Sequence, residues 1–209
     1  MTPLTFTTLP SSSLPLRELY RLMNGIILPR PIALVSTLSK TGAGNLAPFS
    51  SYNLVCSNPP TVLFSITPRR DRSKKDTLRN IEETQEFVIN SVAQWMLEKA
   101  HQTSAEYPSE VNELNAVGLT TLPSLSVKPP RVAESPVQLE CRLTHTVPVG
   151  KGELGSAVIV VGEILTFHIR EEAYQPDQIV LEALQPVCRL GGDAYAGIGN
   201  ILHIPRAKL

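Results

Sequence analysis

The chain lacks any excess of charge: Lys+Arg and Asp+Glu number 19 each. A nucleic-acid binder normally carries a basic surplus, so that class is set aside. Attachment to anionic lipid by charge alone is set aside with it. Cysteine is scarce, at three widely spaced positions, Cys56, Cys141 and Cys188. They form no CxxC pair and no zinc spacing, and read as reduced, mostly buried thiols of a cytoplasmic protein. Long apolar runs are missing. The most apolar, 157–165, is broken by Gly162 and Glu163 and is too short to span a bilayer. Residues 1–15 lack a basic region and a long apolar stretch, so no signal peptide is expected there. The four histidines, His101, His145, His168 and His203, have no cysteine or carboxylate at metal spacing. No Ser-His-Asp set can be assembled, and no metal site is expected. A dinucleotide fingerprint is also absent. Gly42-Ala43-Gly44 leads into Pro48 and a strand instead of a helix.

What is present describes one folded unit. A chain of 209 residues with 42% hydrophobic and 18% charged residues has ordinary globular composition. At that size folding buries about 70% of the unfolded surface, so no disulfide staple is needed. Residues 1–15, rich in Ser, Thr and Pro, read as a tail or edge arm, and 16–209 as a single domain.

The stretch 30–53, RPIALVSTLSKTGAGNLAPFSSYN, organises the rest. Ala33, Leu34 and Val35 make its first half apolar on both faces, as in a strand buried on both sides. Gly42 and Gly44 supply turn chemistry. The second strand of the hairpin carries Asn45, Ser50, Ser51, Tyr52 and Asn53, while Ser36 and Thr37 end the first. Small hydroxyls beside apolar groups have the composition of a ligand cleft. An ordinary hairpin with its hydroxyls in water has the same composition.

Leu16, Leu19, Tyr20 and Met23 share one helical face, with Gly25 where the helix should stop. Residues 57–60 read as a turn and 61–67 as a strand rich in β-branched and aromatic residues. A short helix is expected from Asp76 or Thr77 to Glu83, then a strand over 86–92. A broken helix is expected from Trp95 to about Leu119, and an irregular crossing over 120–133, where Pro123, Pro129 and Pro130 fall. Two long strands follow, 137–147 and 157–169, with a turn at 150–155. Strands with helices inserted between them indicate a mainly β, antiparallel barrel and not a doubly wound parallel sheet.

The loop 69–77, RRDRSKKDT, holds Arg69, Arg70, Arg72, Lys74 and Lys75 and ends at the expected helix start. Unpaired N–H groups and the partial positive charge of a helix start suit a phosphate. Lys75 adds a full charge and Thr77 a hydroxyl donor. A solvated charged loop is the other reading.

PRPIALVST followed by NLAPFSSYN resembles the flavin reductase-like family. KKDTLRNIEE, ESPVQLEC and PVCRLGGDAYAGIG resemble it in the same order, so the similarity runs from about Tyr20 to about Gly199. The resemblance implies an antiparallel Greek-key split β-barrel that binds FMN. It implies that Lys75, Asp76 and Thr77 match the segment holding the FMN phosphate. Ser36, Thr37 and Leu38 match one strand contacting the flavin, and Pro48, Ser50, Ser51 and Asn53 match the other. Arg189 and Tyr195 could close the ring site, or the glycine turn between them could simply pack on the barrel. Leu34 stands where many relatives have an aromatic residue. The implied activity is hydride transfer from NAD(P)H, bound transiently, onto flavin N5. Electrons then pass to free flavin, an oxygenase component or another acceptor. Such chemistry is carried by the cofactor and asks for no catalytic acid or base from the protein. A homodimer is implied as well. The alternatives are an FMN electron carrier like the flavoredoxins, and a small β-barrel module that binds no flavin.

Overall fold

Two-sided burial of the first strand requires layers on both of its faces, and the chain builds them. The computed structural model describes residues 4–105, 107, 111 and 113–207. The first half of the chain forms α1 (Leu16–Ile26), β1 (Arg30–Pro31), β2 (Ala33–Leu38), β3 (Gly44–Phe49), β4 (Tyr52–Ser57), β5 (Pro60–Ile66), α2 (Asp76–Thr84), β6 (Glu86–Ser91) and α3 (Leu97–Gln102). The second half forms α4 (Glu113–Ala116), β7 (Thr121–Leu122), β8 (Arg131–Val132), β9 (Val137–Val149), β10 (Ala157–Ile169), β11 (Tyr174–Gln175), β12 (Gln178–Ile179), α5 (Leu181–Leu184), β13 (Val187–Arg189) and β14 (Tyr195–Gly197).

Seven strands make the main sheet in the order β3-β2-β6-β9-β10-β5-β4, and the pairs are antiparallel. Its two edges, β3 and β4, are consecutive in the chain, joined by Ser50 and Ser51 alone. A flat sheet of that width would hold its edges about 29 Å apart. The link from Phe49 to Tyr52 reaches at most about 11 Å. The sheet therefore curls until its edges meet without pairing, which is a split barrel. β6 pairs with β2 and β9 and not with its chain neighbour β5. The α2 segment carries the chain across, as a Greek key requires. The hairpin expected over 30–53 is thus two corners, β2–β3 and β3–β4, because the second strand breaks at Ser50-Ser51.

β2 separates two apolar layers. Ala33 and Val35 face the barrel interior with Phe64, Phe87, Ile81 and Val160. Phe64 meets Phe49 at 5.3 Å and Phe87 edge-on at 5.6 Å between ring centroids. Leu34 faces the other layer, with Leu46, Met96, Leu114 and Val132. α2 closes one barrel end with Leu78 and Ile81.

The broken helix expected over 95–119 is α3 and α4, with the stretch between them partly outside the described residues. The crossing segment at 120–133 contains the short β7–β8 pair. It is fastened by a buried carboxylate: Glu140 accepts from the N–H groups of Leu125, Ser126 and Val127, and pairs with His168 Nε2 at 2.6 Å. Burial alone would raise the Glu140 pKa, but these hydrogen bonds outweigh it and hold it below the ordinary value. β9 and β10 slip register at Gly162, where a Cβ would lie 2.4 Å from Phe87 Cζ.

Three local expectations are corrected. α1 runs through Gly25 to Ile26. α2 is preceded by Lys75 at its N-cap position, without a side-chain cap from Asp76 or Thr77. Cys56 is exposed, while Cys141 is buried and Cys188 half-buried, and all three are free. Among the described residues no helix is long and apolar enough to cross a membrane, and no group of side chains could hold a metal ion.

Candidate functional site

The first turn of α2 meets the β2–β3 hairpin near its turn, at Asn45, beside a cavity of about 130 Å³. Arg69, Lys75, Asp76, Thr77, Asn45 and Glu113 line it. A helix start without a side-chain cap presents N–H groups that suit an anion. The Asp76 carboxylate is turned to the Arg69 and Arg79 guanidiniums, so its charge is neutralised by the chain itself. Asn45 Nδ2 donates to Thr77 Oγ1 at 2.9 Å and to Thr37 Oγ1 at 3.2 Å. Asn80 Nδ2 also donates to Thr37, at 3.1 Å. Thr77 accepts from Asn45 and keeps its own proton to donate. Glu113 accepts from the Leu46 N–H at 3.0 Å, and burial raises its pKa above the ordinary carboxylate value.

Pro48 and Ser104 join this cavity to a second one of about 240 Å³, lined also by Tyr20, Ile32, Ser50, His101, Arg189 and Tyr195. The sheet β1-β13-β14 sets Arg189 opposite Tyr195. The Arg189 guanidinium lies 4.4 Å over the Tyr195 ring and donates to the Gly192 carbonyl. Tyr195 Oη meets His101 Nδ1 at 2.9 Å. The two adjoining cavities line a cleft that is cationic and hydroxyl-lined at the α2 end and partly apolar at the Tyr195 end.

The sequence-derived site residues divide over this geometry. Pro48 lies where the two cavities join, and Ser50, Arg189 and Tyr195 line the second. Lys75, Asp76 and Thr77 line the first. Thr37 is fully buried beneath it, in the Asn45–Asn80 network. Leu38 ends β2 half-buried. Ser36 points to the other face of β2, where its hydroxyl donates to the Pro130 carbonyl. Ser51 and Asn53 line neither cavity but a neighbouring groove, with Leu63 and Ser65, that shares Ser50 with the second cavity. Leu34 is fully buried in the outer core layer. Sequence reasoning named Asn45 and Arg69 only as parts of the hairpin and the basic loop, and missed Tyr20, His101, Ser104 and Glu113. These four come from segments remote in the chain, and His101 shows no local pattern beyond its place in a helix.

A split barrel with an uncapped helix start beside a basic loop at one end of a cleft, and stacked planar side chains at the other, is the architecture of the flavin reductase-like split barrels. The chain belongs to the flavin reductase-like family, whose domain model, the flavin reductase like domain, matches residues 23–184. It is 39% identical over 198 residues to an uncharacterized protein of Halalkalibacterium halodurans, covering 94% of this chain and 95% of that one. The fold matches nitrilotriacetate monooxygenase component B from Bacillus cereus with a TM-score of 0.92 at 30% identity, covering 97% of this chain and all (100%) of that one. It also matches the 2-nitrobenzoate 2-nitroreductase of Pseudomonas fluorescens with a TM-score of 0.86 at 30% identity, covering 96% of each chain.

Proposed function

We propose that the chain is an FMN-dependent flavin reductase that takes hydride from NAD(P)H. It passes the electrons to free flavin, an oxygenase component or another acceptor. The observation that carries this reading is the pair of adjoining cavities, one suited to the phosphate of FMN and the other to its ring. Lys75, Thr77, Arg69 and the first-turn amides of α2 would hold the phosphate. Pro48, Ser50, Tyr195 and Arg189 would border the ring, and Leu34, Ser36 and Thr37 support β2 from within. Bound there, the flavin supplies the hydride-accepting N5. The chain's part is to orient the ring, screen it from water and leave one face open. The small cavity at the α2 end suits one phosphate, which favours FMN over FAD. The name of the Bacillus cereus protein, a monooxygenase component, supports an oxygenase as acceptor.

Anaerobic mixing of the FMN-loaded protein with NADH and with NADPH tests the reading, with flavin bleaching as readout. Bleaching by either is expected. Flavin that is held but bleached by neither would replace the reductase with an electron carrier. Failure to hold FMN would leave a flavin-free barrel.

The working unit is a homodimer on this reading. No residue of α1 is buried, and Tyr20, Met23 and Ile26 are 68%, 55% and 74% exposed. Leu54 on β4 is 74% exposed. An apolar helix face without cover in its own chain calls for a partner. Light scattering should give twice the 22.8 kDa of the chain, and a monomeric mass at micromolar concentration would overturn this. Three free thiols suit a reducing, cytoplasmic setting.

A further inference from the structure

A groove of about 640 Å³ runs between α1 and the turn joining β13 to β14. It adjoins the Tyr195 end of the cleft, since Tyr20, Ser50 and Arg189 line both. Its volume is that of a ligand site. Its charge sets it apart from the rest of the molecule. Arg17, Arg21, Arg30 and Arg189 line it against the single acid Glu18, so four positive charges less one negative leave +3. The whole chain is neutral.

Of these arginines Arg21 alone meets a carboxylate among the described residues. Glu18 lies 3.6 Å from Arg21. Among the described residues no carboxylate pairs with Arg17, Arg30 or Arg189. Arg30 is fixed by backbone carbonyls instead, donating to Asn24 at 2.7 Å, Ile27 at 3.1 Å and Leu190 at 3.1 Å. Its Nε is buried without a partner. Capping the end of α1 accounts for Arg30. Arg21 meets Glu18, and Arg189 stacks on Tyr195 and donates to the Gly192 carbonyl. Each guanidinium has five N–H donors, so both keep donors for a ligand. Arg17 has no carboxylate partner among the described residues. A guanidinium pairs with phosphate oxygens through two parallel N–H groups, and a row of them fits a ligand with several phosphates.

We propose that this groove binds the adenosine half of the nicotinamide nucleotide and that its arginines favour the 2′-phosphorylated form, NADPH over NADH. The inference rests on the reductase reading for the identity of its ligand. The pyrophosphate of either dinucleotide carries two negative charges, which leaves a surplus of positive charge for the dianionic 2′-phosphate. In doubly wound dinucleotide folds, which this chain does not share, a free acid at the ribose hydroxyls marks an NADH site. Here the only acid of the groove is engaged by Arg21.

The test is Arg17→Gln with Arg21→Gln, on exposed positions of a helix that buries none of its residues. Adenosine 2′,5′-bisphosphate and adenosine 5′-monophosphate are titrated calorimetrically against the apo-protein and the FMN-loaded protein. The parent should bind the bisphosphate at least tenfold more tightly. The double variant should lose about tenfold or more for the bisphosphate, less than threefold for the monophosphate, and nothing for FMN. In anaerobic flavin reduction the concentration of NADPH at half-maximal rate should rise about tenfold in the variant, with NADH little changed. Equal affinity of the parent for the two probes, or a variant indistinguishable from the parent, overturns the proposal. Selective bisphosphate binding with no bleaching by either dinucleotide upholds the groove and sinks the reductase. Bleaching by both dinucleotides with no probe selectivity upholds the reductase and sinks the groove.

Discussion

Lys75→Ala probes the α2 end of the cleft most directly. Lys75 stands just before α2 and lines the small cavity with Thr77 and Arg69. Arg69 shares its charge with Asp76, so it makes up only part of what the variant loses. A charge-assisted contact to phosphate contributes about 1.5–3 kcal/mol, so the Kd for FMN should rise roughly tenfold to a hundredfold. Riboflavin carries no phosphate, and its affinity should hardly move. Lys75 Nζ also lies 5.8 Å from the centroid of the Phe49 ring. A cation at that range contributes at most about 1 kcal/mol. Fold stability should therefore fall by about 0.5–1 kcal/mol, somewhat more than for a residue on a free loop. The assay is fluorescence titration of the apo-protein with both ligands at low and high salt. Raised salt should weaken FMN more than riboflavin in the parent and should make less difference in the variant. Equal weakening of both ligands would show that Lys75 acts through the fold. No effect on either would move the phosphate elsewhere. Thr77→Val is a poor probe of the same contact. It takes an acceptor from Asn45 in a buried network and should destabilise the fold by about 1–3 kcal/mol whatever it does to binding.

Glu113→Gln keeps an oxygen for the Leu46 N–H and removes a negative charge from the same cavity, so FMN should bind several-fold more tightly at pH 8. Because burial raises the Glu113 pKa, the parent carboxyl takes up its proton as pH falls and the difference from the variant should vanish; a constant ratio across pH would refute this. Glu140→Gln should cost about 2–4 kcal/mol in chemical denaturation, since three backbone N–H groups and His168 converge on that carboxylate. Its pKa lies below the ordinary 4.5, so its stabilisation is present above that value and lost as pH falls through the folded-state value. The acid limb of the stability profile should flatten in the variant. Gly162→Ala forces a methyl to 2.4 Å from the ring of fully buried Phe87 and 3.2 Å from the Arg142 carbonyl. A loss of about 1–3 kcal/mol is expected, and an unchanged melting temperature would count against the tight packing of the bulge.

Local chemistry made much of this molecule legible in the sequence. The two-sided apolar run of β2 required layers on both faces, and the proline and glycine positions marked the turns. The basic loop ahead of α2 pointed to the anion site proposed here because a helix start and a cluster of cations act within a few residues of each other. The tertiary structure decided what depends on distant segments meeting. Sequence placed Ser36 and Thr37 together, but strand alternation sends Ser36 to Pro130 on one face and Thr37 to Asn45 and Asn80 on the other. Ser50-Ser51 looked like the middle of one strand and is the corner that curls the sheet. His101 joins Tyr195 across 94 residues, a pairing that no local pattern encodes. The arginine groove is the plainest case. Arg17 and Arg21 belong to a helix, Arg30 to the start of a strand and Arg189 to a hairpin near the end of the chain. The balanced composition conceals them until folding segregates their charge on one wall, because composition sums charges while a binding site depends on where they lie.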